Sequence, residues 1–151
     1  MVRFFAVVFG ALAFAGPAVA AAGGCHAVSG TFVASTPLTC ASFFCTEGQL
    51  SGDLNGVYSF VAYGFSPTTG NLLGHSTITL SNGAVVTSND ESQLFGPPIP
   101  GNQFVTSVNF SGGTREFAHV SGSLSAPGTF TKTGTIGTYA GEYCLGATTR
   151  D

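Results

Sequence analysis

Side chains able to move a proton are few in this chain, and two of them stand together at Asn89-Asp90-Glu91. This is the only acidic pair inside a run that reads as a strand. Neighbouring strand residues point to opposite faces, so one of Asp90 and Glu91 faces whatever the strand encloses and the other faces away. A carboxyl enclosed among apolar side chains keeps its proton to higher pH and can serve as a general acid or base. The plainer alternative leaves both near the strand end and in water, because buried acids are rare unless paired. Tyr58 and Tyr63 offer hydroxyls to a cavity, although tyrosine in a strand is also ordinary packing. Asp90, Glu91 and Tyr63 are therefore the candidate catalytic groups. Tyr58, Phe60, His75, Phe104 and Phe110 are the candidate ligand-lining residues. His26, His75 and His119 are scattered, so no metal site is expected. No cofactor is expected either: the chain has no G-x-S-x-G, no H-E-x-x-H and no glycine loop placed to cradle phosphate before a helix.

The elements that must position these residues are strands. Phe104, Thr106, Val108 and Phe110 alternate with Val105, Ser107 and Asn109, a period of two. The same reading gives strands over His26–Ala34, Gln49–Asn55, Gly56–Ser66, Leu72–Leu80, Ala84–Phe95, Gly122–Phe130 and Thr133–Cys144. Asn82-Gly83 is the strongest hairpin signal. Pro127 cannot donate to a ladder, so it is expected at a turn or a strand edge. Gly96 to Gly101, with three prolines, is expected to be a rigid loop. Val57 to Phe65 is apolar on both faces, so its outer face is expected to be covered or to meet another subunit. On a weakly charged chain this predicts a homodimer or homotrimer. About eight strands with turns at this spacing predict a single all-β domain, a barrel or a sandwich.

One stretch narrows that choice. GGTREFAHVSG, from Gly112 to Gly122, resembles the GGTGxFxxAxG element of dirigent proteins and of secreted proteins with the allene-oxide-cyclase-type barrel. Gly112, Gly113, Thr114, Phe117 and Gly122 match, and GTYAGEY resembles the closing strand of the same families. The resemblance covers about the last third of the chain. It implies an eight-stranded antiparallel, calycin-like barrel over residues 25–146 whose relatives bind or act on apolar small molecules. Arg115 departs from it, standing where the motif has its next glycine. Phe117 is expected to plug one end.

Composition sets the compartment. Met1 to Ala20 has the pattern of a signal peptide: Arg3, an apolar run, and cleavage expected between residues 20 and 22. Arg115, Lys132 and Arg150 then remain against 7 acidic residues, too few cations for a phosphate-binding surface, so nucleic acid is not an expected partner. No second long apolar segment follows, and no stable membrane insertion is expected after cleavage. Residues 147–151 form a tail. An exported chain with 4 cysteines predicts two disulfides and a secreted or periplasmic location. In a closed barrel the last strand lies antiparallel beside the first. That brings Cys144 to Cys25 and leaves Cys40 with Cys45. If the intervening loop folds back, Cys25 pairs with Cys45 instead. Three functions follow: a barrel that binds an apolar small molecule, a cyclase- or isomerase-like enzyme that confines an unsaturated substrate, and a structural protein with a filled barrel.

Overall fold

The computed structural model describes residues 24–146. The expected leader and tail lie outside the described residues. Strand β1 is Cys25–Ser35, β2 Cys45–Gly52, β3 Gly56–Phe65, β4 Leu72–Leu80, β5 Val85–Phe95 and β6 Gln103–Gly113. A single 3-10 turn, Arg115–Phe117, leads into β7 Ser121–Phe130 and β8 Gly134–Cys144. Each strand pairs antiparallel with the next, and β8 returns to β1, so the sheet closes into an eight-stranded barrel. Closure leaves no strand edge with free N–H and C=O groups. No helix among the described residues is long and apolar enough to cross a membrane.

The alternation read from the sequence selects the inner face. Val28 and Phe32 on β1, Phe60 on β3, Ile78 on β4, Val86 on β5, Val108 on β6 and Leu124 on β7 all point inward and are buried. The outer face of β3 is bare: Val57, Val61, Tyr63 and Phe65 are all exposed. Phe65 stacks on Phe43 with ring centroids 5.6 Å apart.

Consecutive hairpins give the barrel two different ends. At the lower end lie the start of β1, the end of β8 and the β2–β3, β4–β5 and β6–β7 connections. Phe117 plugs it, 5% exposed, as expected. Its ring packs on Tyr143 at 5.3 Å. The corner before it takes a left-handed turn, because Arg115 has φ 55°. Glycine enters that region without cost, while other residues must be held there. Arg115 is held by its guanidinium, which donates to the Asn82 carbonyl, and Glu116 accepts from the Asn82 side chain at 3.0 Å. The corner thus grips the Asn82-Gly83 hairpin turn.

Cys25 sits opposite Cys144 in the β1–β8 register, and the two form a disulfide across the seam. Cys40 and Cys45 form the second disulfide at the upper end. Both pairings are those expected from a closed barrel. Two disulfides fit an oxidising, extracellular type of environment.

Two boundaries differ from the sequence reading. Strand β2 starts at Cys45 rather than Gln49, because Cys45 to Gly48 pair with Tyr58 to Val61. Pro127 lies inside β7, at neither a turn nor an edge. It pairs with Val105 of β6, and the register to β8 is interrupted between Ser125 and Gly128. The missing donor is thus accommodated by a break on one side of the strand.

Candidate ligand site in the barrel lumen

The inward-facing residues of β5 are unusually polar. Ser88, Asp90 and Ser92 share one face with Val86 and Leu94, and all but Leu94 are fully buried. The hairpin at Asn82-Gly83 sets this face. It places Ile78 opposite Val86, and two apolar partners must both point inward. Ser88 and Asp90 follow at the same parity.

Asp90 is 3% exposed. Ser76 of β4 donates a short hydrogen bond to Oδ2, and Ser88 donates to Oδ1 at 2.7 Å. Burial pushes its pKa above the ordinary aspartate value; the two serine bonds and His75 pull the other way without cancelling the rise. The carboxyl therefore keeps its proton to higher pH than a solvated aspartate. Next to it, Ser92 and Thr106 hydroxyls bond to one another at 2.7 Å. Across the lumen, Tyr58 is also raised, chiefly by burial and slightly by the charge on Asp90, while bonds with Thr135 and Thr46 oppose the rise. Tyr139 lies below, its hydroxyl accepting from the Leu54 N–H at 2.9 Å and set near the Leu54 carbonyl at 3.1 Å.

These groups face a cavity of about 90 Å³. Phe32, Phe60, Phe104 and Phe130 are part of its apolar wall, and among the described residues Asp90 is the only charged one lining it. The space survives because large rings lie flat against a wall of glycines. A Cβ on Gly74 would sit 2.2 Å from the Phe60 ring, and one on Gly137 would sit 2.5 Å from Phe32. Phe44, from the β1–β2 loop, covers the upper side, edge-on to Phe60 and Phe130 with centroids 6.2 Å away in each case. The Phe117 plug lies lower still, packed with Leu54, Val86 and Phe110.

The sequence candidates divide between the two faces. Asp90, Tyr58, Phe60 and Phe104 meet at the cavity. Phe110 points inward but lies lower, against Phe117 and Tyr143. Glu91 faces outward, as it must beside Asp90, and accepts from Thr69 at 2.9 Å and Asn71 at 2.8 Å. It ties down the β3–β4 loop. Tyr63 and His75 also lie outside, stacked on each other at 4.6 Å, both exposed. The pleat puts odd-numbered residues of β3 and β4 on the solvent side, so neither reaches the lumen. Ser76, Ser88, Ser92, Thr106, Thr46 and Thr135 are the lumenal polar groups that residue type alone did not mark. Among the described residues no cluster of His, Cys, Asp or Glu has the geometry to hold a metal ion.

No protein-family profile, curated protein or solved structure matches the chain.

Proposed function

We propose that this is an exported β-barrel protein that binds a small, largely apolar molecule in its lumen. The observation that carries the reading is a cavity of about 90 Å³ lined by phenylalanines around one buried carboxyl. A void in a core forfeits dispersion contacts and costs stability, so a well-packed fold that keeps one has a use for the space. The volume limits the occupant: an engineered apolar cavity of roughly 150 Å³ takes one benzene. The space here is smaller, and a ligand of about four heavy atoms is the natural size.

The test is an amide NMR titration with isopropanol. Binding in the lumen shifts the β5 and β6 amides around Asp90 and Thr106, and Ala126→Phe, which fills the cavity, abolishes the shifts. Shifts confined to outer-face residues would reject the reading.

A second reading is favoured by Asp90 itself. A carboxyl that holds its proton, facing Tyr58 across an apolar lumen, has the composition of a general acid site for a cofactor-free isomerase or cyclase. The dirigent and allene-oxide-cyclase resemblance of Gly112 to Gly122 points the same way. Against it stands the small volume, which cannot fold a long unsaturated substrate.

The exposed β3 stripe of Val57, Val61, Tyr63 and Phe65 belongs to the same proposal as a self-association surface. Val61→Lys is expected to shift the species seen by light scattering toward monomer; a wild type that is monomeric at high concentration removes this part.

A further inference from the structure

The lumen has an unbalanced set of polar groups. A carboxylate offers about four lone-pair sites. On Asp90 two of them accept from Ser76 and Ser88. The Ser92–Thr106 pair, Tyr58, Thr46 and Thr135 each keep lone pairs on their oxygens, and the lumen wall contains no amine, guanidinium or imidazole. Asp90 stands opposite Gly74 of β4 and Val108 of β6 and bonds to Ser76 and Ser88, and Thr106 and Leu124 share the lumen wall with it. Tyr58 on β3 and Tyr139 on β8 are the other titratable groups of the cavity. Glu91 and His75, on the same and the neighbouring strand, face outward. The site is rich in acceptors and holds one acid without a cation.

We propose that the lumen selects a small primary amine with an apolar body, its ammonium hydrogen-bonded to the Asp90 carboxylate. This deepens, and rests on, the lumenal-binding reading above. An ammonium brings three donors and no acceptor, which complements the surplus on the wall. Its bond to a carboxylate is charge-assisted and gains strength where water is excluded. Phe32, Phe60, Phe104 and Tyr58 add aromatic faces, which attract a cation within about 6 Å of a ring centroid. The alkyl part fills the remaining apolar volume. Where Asp90 is protonated in the free protein, entry of the ammonium sends that proton to solvent, and the bound pair is a carboxylate with an ammonium.

The experiment compares isopropylamine with isopropanol, which match in shape and differ in charge and donor count, by calorimetric titration of the full chain. The amine is expected to bind wild type at least about tenfold more tightly than the alcohol. In Asp90→Asn the amine is expected to lose about tenfold while the alcohol stays within about twofold. Equal binding of the two probes to wild type, or an amine affinity untouched by Asp90→Asn, overturns the amine assignment and leaves the lumenal pocket standing. Failure of both probes to bind overturns the pocket and the assignment together. The wild-type ratio decides the matter even if the Asp90→Asn chain does not fold.

Discussion

The two ends of the barrel are built differently. The lower end is tied by several independent devices: the Phe117 plug, the Cys25–Cys144 disulfide across the seam, the Tyr139 hydroxyl on Leu54, and the Arg115 grip on Asn82. The upper end has longer loops, and Leu38, Phe43 and Ile99 are left in water there. One ring, Phe44, covers the cavity, on a loop pinned by the short Cys40–Cys45 bridge. On the proposed lumenal-binding reading, the difference bears on entry: a ligand would come in through the end with less to break.

The largest expected effect tests that contrast through the two disulfides. Cys25 and Cys144 are separated by 119 residues, Cys40 and Cys45 by 5. In the loop-entropy account, replacing the first pair with serine costs about 4–5 kcal/mol and the second about 2 kcal/mol. Urea unfolding of the two double variants measures both. Equal losses would mean that the seam is not the main anchor of the lower end.

Aromatic truncation sharpens the contrast at each end. Phe117→Ala empties the buried plug and is expected to cost about 3–4 kcal/mol. Phe44 is only half-buried, so Phe44→Ala is expected to cost about 1 kcal/mol and to speed ligand exchange at the lumen. A Phe44→Ala chain that releases isopropanol no faster than wild type would place the entrance elsewhere.

The closed architecture was more legible than the site. The Asn82-Gly83 turn, the alternation over Phe104–Phe110 and the lone large ring at Phe117 each carry a local physical meaning, and the strands, the hairpin and the plug follow from them. The disulfide pairing follows once the last strand is set beside the first. The facing of β5 was hidden because Ser88, Asn89, Asp90, Glu91 and Ser92 are polar on both faces, so hydrophobic period gives no preference. Only the register carried over from β4 breaks the tie. Tyr63 and His75 were drawn toward the site by residue type, while parity alone puts them outside. Pro127 was misplaced because one-sided disruption of a ladder leaves no mark in composition.

Between the two ends, the cavity depends on rings laid against glycines. Gly137→Ala would bring its Cβ within 2.2 Å of the Pro127 carbonyl and 2.5 Å of Phe32. The backbone cannot yield as a flexible side chain does, so the expected loss is about 1–3 kcal/mol, with Phe32 turned into the lumen. Weaker isopropanol binding should accompany the loss. A variant that unfolds more easily but binds normally would separate packing of the wall from the volume of the cavity.

The smallest expected effect comes from Asp90, midway between the ends, and its sign is the informative part. Burial lifts its pKa above the ordinary 3.8. The folded state therefore holds a proton that the unfolded chain has released. For a raised group, the favourable contribution is complete below the unfolded value and is lost as pH rises through the folded one. Stability attributable to Asp90 should thus fall from about pH 4 upward and level off above its folded pKa. Solvated carboxylates paired in a fold give the opposite slope. Asn at this position carries no charge to desolvate and keeps a carbonyl to accept from a serine hydroxyl. Asp90→Asn should therefore match wild type at pH 4 and exceed it at neutral pH, as read from urea midpoints across the range. A variant that is instead weaker at neutral pH would mean that the serine bonds outweigh the burial of the charge, and that Asp90 is ionised in the empty lumen.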